Sequence, residues 1–261
     1  MLLTGPAFVT GAGSGIGRGV AIALAEHGVA VAACDVDEAA VTSTVADITA
    51  SGQQARAITA DVSCVDAVMA AVDAAESAFG PPMIVVNAAG ILDGFALVEK
   101  QTVESWQRVI AVNLTGTFLV CKRVIGAMAE RGSGRIVNFA SVAGLTGRGG
   151  GAAYVASKHG VVGLTRALCG QYAARGVTVN AVCPGAIRTA IVEHAVTTFG
   201  VAAVAQELNV LSTDEGLRLS VPAALRGTVS QVVASVLFLT SDAASYINGA
   251  ALAVDGGWAA V

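Results

Sequence analysis

The sequence predicts an open, doubly wound parallel β-sheet of about seven strands with helices on both of its faces. Short runs of Val, Ala and Ile alternate with longer helical stretches along the whole chain, a pattern typical of parallel α/β sheets. A glycine-rich loop directly follows the first apolar run. A closed barrel of this length would need eight strands, whereas about seven are found, so the open α/β sheet is favoured.

The predicted strands are short and rich in Val, Ala and Ile, as strands buried on both faces of a sheet are. They cover residues 6–10, 29–34, 55–60, 83–86, 134–140, 177–182 and 250–254. Helices are predicted at 15–27, 37–51, 64–79, 101–130 with a break, 152–174, 189–209 and 228–241. Because no linker, repeat or low-complexity segment interrupts this alternation, we predict a single domain over residues 1–261.

Composition excludes several classes of protein. Hydrophobic residues make up 54% of the 261 residues and charged residues 13%, and the mean hydropathy is +0.70. No uninterrupted run of about 18 apolar residues occurs, so we expect no membrane association. The net charge of −4 and the lack of a basic run argue against nucleic acid as a partner. The N-terminus lacks the basic segment of a signal peptide.

The five cysteines are scattered along the chain and form no C-x-x-C pair. They are Cys34, Cys64, Cys121, Cys169 and Cys183. An odd, dispersed set is typical of reduced, buried thiols in a cytoplasmic protein and argues against a metal site.

The loop TGAGSGIG at residues 10–17 matches the pattern T-G-x-x-x-G-x-G through Gly11, Gly15 and Gly17. Glycines at these positions let the backbone approach a pyrophosphate, which the N–H groups at the start of the next helix can bind. The loop therefore predicts a dinucleotide site.

Asp35 closes the second predicted strand, where a carboxylate accepts hydrogen bonds from the adenosine ribose and repels a 2′-phosphate. We predict NAD as the cofactor.

Polar residues cluster where later strands end. Asn87 ends the fourth predicted strand, and Ser141 follows the fifth. Tyr154 and Lys158 lie four residues apart and so share one face of a helix. A free phenol titrates near pH 10. An ammonium about 4 Å away contributes about 4 kcal/mol at an effective dielectric constant of about 20, so it would lower the pKa of the phenol by up to about three units.

Together these motifs resemble the short-chain dehydrogenase/reductase family over nearly the whole chain. The matching segments are TGAGSGIG, Asp61-Val62, NAAG at 87–90, Asn113, Ser141, YVASK at 154–158 and PGAIRT at 184–189. Ala88 departs from the pattern, since many members have Asn there, but that position is structural in the family. The resemblance implies a Rossmann-like fold, a soluble oxidoreductase and an NAD-dependent alcohol dehydrogenase.

The resemblance also implies roles for the catalytic residues. Tyr154 would be the general acid/base, Ser141 would bind the substrate oxygen, and Lys158 would hold the nicotinamide ribose. Asn113 would position a water that links Lys158 to solvent. The implied cofactor contacts are Gly11, Ser14, Gly15, Ile16, Gly17, Asp35, Val36, Asp61, Val62, Asn87, Tyr154, Lys158, Pro184, Gly185, Ile187 and Thr189.

Three loops, 90–100, 142–153 and 186–227, are expected to enclose the substrate, the last as a lid. The first supplies the apolar residues Ile91, Leu92, Phe95 and Leu97. Arg148 is interpreted as a solvated side chain. The C-terminal tail is similar to that of bacterial NAD-linked members that oxidise small secondary alcohols or diols, so we predict such a small-molecule substrate or its ketone.

Two other functions stay open. A 3-oxoacyl (carrier-protein or CoA) reductase is disfavoured by Asp35 and by the lack of a basic docking patch. A non-catalytic dinucleotide sensor is disfavoured by the intact Ser–Tyr–Lys set. Predicted helices 114–130 and 152–174 are apolar or small on more than one face, and the family commonly builds tetramers through them, so we expect a homotetramer.

Overall fold

The computed structural model describes residues 5–95, 97–187, 189, 191 and 226–260. Its centre is a seven-stranded parallel sheet in the order β3-β2-β1-β4-β5-β6-β7. The strands are β1 (Ala7–Thr10), β2 (Val31–Asp35), β3 (Ala55–Thr59), β4 (Ile84–Asn87), β5 (Gly134–Phe139), β6 (Val177–Pro184) and β7 (Ala251–Val254). All seven predicted strands are confirmed, because buried parallel strands leave a clear apolar signal.

Helices cover both faces of the sheet. They are α1 (Gly15–Glu26), α2 (Glu38–Ala50), α3 (Val65–Phe79), α4 (Val103–Ile110), α5 (Thr117–Arg131), α6 (Ala152–Tyr172) and α7 (Val229–Leu239). The apolar sides of α1, α2 and α7 bury one face of the sheet, and those of α3, α5 and α6 bury the other. The doubly wound α/β class is therefore confirmed.

The strand order reverses between β1 and β4, which lie side by side with Ala7 opposite Ile84. In an open parallel sheet such a reversal leaves a crevice at the carboxyl ends of the two strands, where ligands bind. Thr10 fixes the two sides of this crevice, because its Oγ1 accepts hydrogen bonds from the N–H groups of Ala88 and Ala89, both at 3.2 Å. The fold thus predicts where a site must lie.

The break predicted within the helical region 101–130 is wrong, because the helix changes its hydrogen-bond pattern there and does not end. α4 continues without interruption through a π-helical turn, Ala111–Gly116, into α5. π-helical turns of this kind occur frequently at functional sites. Asn113 lies within the turn and is buried. The predicted helix 189–209 lies almost wholly outside the described residues.

The continuous helix Val103–Arg131, 29 residues long, is apolar and long enough to cross a membrane by length and composition. Half of its most apolar window is buried inside the fold. Val120, Val124 and Met128 pack within the core on one face of the sheet. The helix Val103–Arg131 therefore packs as a core helix of the fold.

The cysteine thiols are free, and three of them lie in the core. Burial raises the pKa of Cys34 and of Cys121 to about 12 and that of Cys183 to about 11. These thiols are therefore protonated and unreactive at neutral pH. The prediction of buried thiols is wrong for Cys64, which precedes α3 and is exposed, and only partly right for Cys169.

Candidate active site

The glycine loop between β1 and α1 is packed too tightly for side chains. A Cβ at Gly17 would lie 2.1 Å from the carbonyl oxygen of Gly11, and one at Gly11 would lie 2.7 Å from the amide nitrogen of Ala89. Gly11 also has a φ of +66°, which other residues rarely adopt. The loop therefore needs glycine for close packing, and this packing presents the first N–H groups of α1 to the crevice.

We expect Gly17→Ala to lower both stability and cofactor affinity, since the added methyl must push Gly11 and the loop away. Such overpacking costs about 1–3 kcal/mol, which lowers Tm by several degrees. NADH fluorescence titration should show at least about a tenfold weaker Kd. Gly170→Ala on α6 is the matched control, because a Cβ built at Gly170 meets nothing within 4 Å in the described part of the chain. An unchanged Kd in Gly17→Ala would contradict the loop's assigned role.

A cleft of about 440 Å³ crosses the carboxyl ends of the strands. Most of the predicted cofactor residues line it, namely Gly11, Ser14, Gly15, Ile16, Gly17, Asp35, Val36, Asp61, Val62 and Thr189. The cleft offers helix N–H groups for a pyrophosphate and carboxylates for hydroxyl groups. Added side-chain carbons at Gly11 and Gly17 would disrupt this cradle. The residues present therefore fit a dinucleotide.

Asp35 lies at one end of the cleft with its carboxylate turned toward the glycine loop. Its Oδ2 accepts a hydrogen bond from the Gly13 N–H at 2.8 Å, and its Oδ1 accepts one from the Asp37 N–H at 3.1 Å. Arg18, the basic residue nearest the loop in sequence, forms an ion pair with Asp47. A negative charge therefore stands at this end of the cleft, where it disfavours an additional phosphate.

Asp61 follows β3 and stays exposed at the cleft, where its Oδ1 accepts hydrogen bonds from the N–H and the hydroxyl of Ser63 at 2.9 and 2.7 Å. Arg108 of α4 and Val112 of the π-helical turn line the same cleft. Neither residue is predicted from the sequence. Their only local signal is that they lie four residues apart on one helical face, which is too common to identify a site.

Four other predicted cofactor residues are placed beside the cleft rather than on its walls. The Asn87 side chain is buried and donates a hydrogen bond to Asn138 Oδ1 at 2.9 Å. Pro184 ends β6, and the Gly185 N–H donates to the Val254 carbonyl at 3.0 Å. Ile187 forms an isolated bridge with Gly227. The contacts of Asn87 and Gly185 join neighbouring strands of the sheet. Sequence position alone does not reveal whether a residue near a strand end lines the cleft.

Asn113 holds two segments together at the inner end of the cleft. Its Nδ2 donates to the Ile91 carbonyl and to Ser157 Oγ, both at 3.0 Å. Its Oδ1 accepts from the Ile91 N–H at 2.8 Å. The π-helical turn thus fixes the loop after β4 against α6, and the side-chain amide makes its hydrogen bonds within the protein.

Ser141, Tyr154 and Lys158 are brought together behind this loop. Ser141 Oγ accepts from the Ala143 N–H at 3.1 Å and lies close enough to the Tyr154 phenol to lower its pKa. Lys158 Nζ lies 5.5 Å from the centroid of the Tyr154 ring and donates to the Phe139 carbonyl at 2.8 Å. All three side chains are buried. The predicted grouping of these residues is therefore present.

The pKa of the Tyr154 phenol differs from the prediction. Burial raises the pKa of Tyr154 to about 12; the hydrogen bond from Ser141 acts to lower it, and the charge of Asp93 raises it further. Burial also lowers the pKa of Lys158 to about 8. In the protein without cofactor the pKa of the phenol is thus raised and not lowered as predicted, because desolvation is the largest of the effects on it.

Known proteins resemble this chain in both sequence and fold. The model of the family described as short chain dehydrogenase matches residues 6–198. The 2-(S)-hydroxypropyl-CoM dehydrogenase 3 of Xanthobacter autotrophicus is 39% identical over 257 residues, which cover 97% of this chain and 96% of that protein. A 3-oxoacyl-[acyl-carrier-protein] reductase of Synechocystis sp. is 39% identical over 253 residues, covering 96% and 95% of the two chains.

Among solved structures, the crystal structure of levodione reductase superposes with a TM-score of 0.87 at 34% sequence identity, and the match covers 100% of both chains. One family accounts for the fold, the glycine loop and the buried group of Ser141, Tyr154 and Lys158. The chain belongs to the short chain dehydrogenase family, and the protein is an oxidoreductase of alcohols or ketones that uses a nicotinamide dinucleotide.

Proposed function

We propose that the protein is an NAD-dependent dehydrogenase that interconverts a small, neutral secondary alcohol or diol and the corresponding ketone. The observation that carries this proposal is the Tyr154 phenol, buried between Ser141 and Lys158 beside a cleft that fits a dinucleotide. Bound NAD supplies the hydride acceptor. The other chemical tasks, which are binding the substrate oxygen and moving its proton, belong to the protein.

Tyr154 is the group that moves the proton. In alcohol oxidation the phenolate takes the hydroxyl proton as the carbonyl forms, and in ketone reduction the phenol returns it. Ser141 donates a hydrogen bond to the substrate oxygen, and Asn113 fixes the geometry of the loop beside it.

With its pKa raised to about 12, the phenol is fully protonated at neutral pH. Reduction should therefore be favoured at lower pH, and oxidation should accelerate as pH rises toward the pKa of the phenol in the working complex.

The preference for NAD rests on Asp35. Its carboxylate is fixed by two backbone N–H groups at one end of the cleft. Hydrogen bonds to a charged group contribute about 1.5–3 kcal/mol each, so a contact with a ribose hydroxyl would favour NAD about tenfold or more over a phosphorylated ribose. Lys158 would hold the nicotinamide ribose, as its place beside Tyr154 allows.

A neutral substrate is supported by the groups around Tyr154. Leu92, Phe95 and Ile191 pack with the Tyr154 ring in one apolar cluster. The buried carboxylate of Asp93 lies close enough to act on the phenol. An anionic substrate would lose its hydration against these walls and also face a negative charge.

Arg148→Ala tests this assignment, because Arg148 is the cation in the loop that precedes α6 and its side chain is exposed. We expect kcat/KM for the best neutral alcohol to change by less than about tenfold, or about 1.4 kcal/mol. Steady-state assays of Arg148→Ala and wild type provide the comparison. A loss of a hundredfold or more confined to KM would show that an anionic group is bound.

Reduction of a 3-oxoacyl thioester is the second candidate function, favoured by the Synechocystis relative. The two candidates are separated by assaying alcohols, diols and ketones against 3-oxoacyl-CoA and a 3-oxoacyl carrier protein. We expect kcat/KM to be highest for a neutral alcohol or ketone. A thioester turned over more efficiently than every neutral compound would establish the second candidate instead.

The proposed assembly is a cytoplasmic homotetramer. Phe118 on α5, Phe238 on α7 and Leu252 on β7 are large apolar residues exposed on the single chain. Exposed apolar groups of this kind favour association with further copies. Sedimentation equilibrium should give about four times the chain mass of 25.9 kDa, and a monomer at micromolar concentration would contradict the assembly.

A further inference from the structure

Asp93 is a buried carboxylate in the loop after β4, with only 2% of its surface exposed. Its Oδ1 accepts hydrogen bonds from the N–H groups of Gly151 at 2.9 Å and Phe95 at 3.2 Å. Its Oδ2 accepts from the Tyr154 N–H at 3.0 Å and from Gln101 Nε2 at 3.3 Å. One side chain therefore connects the loop after β4, the segment before α4 and the start of α6.

The start of α6 lacks a capping side chain of its own. Gly151 is the residue before the helix, and it has no side chain that could accept a hydrogen bond. The first N–H groups of a helix have no partner within it, and a negative charge near them is stabilising. Asp93 meets this need from 58 residues away at Gly151 and from 61 residues away at Tyr154.

Gly151 leaves the room that this arrangement needs. A Cβ at Gly151 would lie 2.5 Å from Asp93 Oδ2. The backbone of Gly151 has a φ of −76°, which alanine adopts without strain. The requirement for glycine therefore comes from the carboxylate, which occupies the place of a side chain.

The same carboxylate also shapes the wall around the phenol. Phe95 has a φ of +61° in the left-handed region, where a bulky residue is rare. Its N–H donates to Asp93, and its ring packs in the apolar cluster with Leu92 and Tyr154. Asp93 thus fixes a residue of the pocket wall and the backbone of the acid/base residue at the same time.

We propose that Asp93 is a positioning residue that fixes the first turn of α6, and so the Tyr154 phenol, in register with Ser141 and the apolar wall at Phe95. This proposal rests on the function proposed above for Tyr154. Asp93 needs no contact with the substrate for this role. Displacements of about 1 Å at a reacting group can slow catalysis about a hundredfold, so a fixed helix start has a direct effect on rate.

The negative charge has a second effect on the phenol. It raises the pKa of Tyr154, against the hydrogen bond from Ser141. Within the described part of the chain, the polar or charged groups that face the phenol are Asp93 from the loop after β4, Ser141 after β5 and Lys158 on α6. Removing the charge of Asp93 should therefore lower the pH at which Tyr154 becomes a base.

Asp93→Asn tests the proposal, because an amide keeps the shape but can accept hydrogen bonds at only one of its two polar atoms. We expect kcat for alcohol oxidation to fall ten- to a hundredfold, with the KM for NAD within about twofold of wild type. The rising limb of the kcat/KM–pH profile should move to lower pH by about half a unit to one unit. An unmoved limb together with kcat within threefold of wild type would overturn the proposal.

Gly151→Ala provides an independent second variant, since it displaces the carboxylate without removing its charge. We expect a similar loss of kcat but no shift of the pH limb to lower pH. Thr102→Ala is the control for the loss of a helix cap, because Thr102 caps the exposed start of α4 through the Ser105 N–H. It should lower Tm without changing kcat by more than about twofold. Equal losses of kcat in all three variants would reduce Asp93 to a structural role.

Tyrosine NMR separates this inference from the proposed function. The chain has three tyrosines, so ¹³Cζ-labelled tyrosine gives three resonances, and Tyr154→Phe identifies that of Tyr154. In Asp93→Asn its titration midpoint should fall relative to wild type. If the midpoint falls although wild type oxidises no alcohol, the proposed function fails and the effect of Asp93 stands. If wild type oxidises alcohols and the midpoint does not move, the inference about Asp93 fails alone.

Discussion

Tyr154→Phe should lower kcat by about a thousandfold or more while leaving NADH affinity nearly unchanged. General acid/base catalysis contributes about 10²–10⁴-fold, and without the phenol oxygen no described residue stands in its place to move the substrate proton. The ring itself remains, so packing against Leu92 and Ala143 is kept. Initial rates of alcohol oxidation and NADH fluorescence titration measure the two effects separately.

Tyr246→Phe is the matched control for the loss of one phenol oxygen, since Tyr246 is fully exposed. Its kcat and its NADH affinity should both equal those of wild type. Rates near wild type in Tyr154→Phe would contradict the acid/base role. A loss of NADH binding comparable to the loss of rate would instead place the effect of Tyr154 on the cofactor.

The double variant Asp35→Ala/Val36→Arg should shift the ratio of kcat/KM for NADP over NAD by about 10²–10⁴-fold. The change removes the carboxylate held by Gly13 and Asp37, and it adds a guanidinium at an exposed position that lines the cleft. Each part should contribute about 1.5–3 kcal/mol, since both concern hydrogen bonds to charged groups. Steady-state kinetics with both cofactors gives the ratio directly.

Glu38→Ala is the control for a simple loss of negative charge nearby, because Glu38 begins α2 and is exposed. It should leave the cofactor ratio within about twofold of wild type. A wild-type enzyme that already prefers NADP would contradict the role given to Asp35.

The parts of the fold that the sequence predicts are those with a local signal. Runs such as Ala7–Thr10 and Ile84–Asn87 are buried on both faces and so are apolar at every position but the last, which makes parallel strands easy to locate. The glycine loop is predictable because the close approach at Gly17 excludes every larger residue. The grouping of Tyr154 with Lys158 follows from helical spacing alone.

The features of the fold and the site that were not predicted depend on contacts between residues distant in sequence. Asp93 meets Gly151 and Tyr154 only after the sheet has formed, and an aspartate in a glycine-containing loop normally indicates a turn. The π-helical turn at Asn113 reads as a break because its polar residue interrupts an apolar pattern, whereas it is satisfied by Ile91. The pKa of Tyr154 depends on the depth of burial, which spacing does not reveal.

Formation of NADH by the wild-type protein is the direct measure of whether this chain oxidises neutral secondary alcohols with NAD. Absorbance at 340 nm is followed across a panel of secondary alcohols and vicinal diols, each with NAD and with NADP. We expect turnover of at least one neutral compound, with kcat/KM about tenfold or more higher with NAD. Turnover only with NADP, or only of acyl thioesters and anionic alcohols, would contradict it.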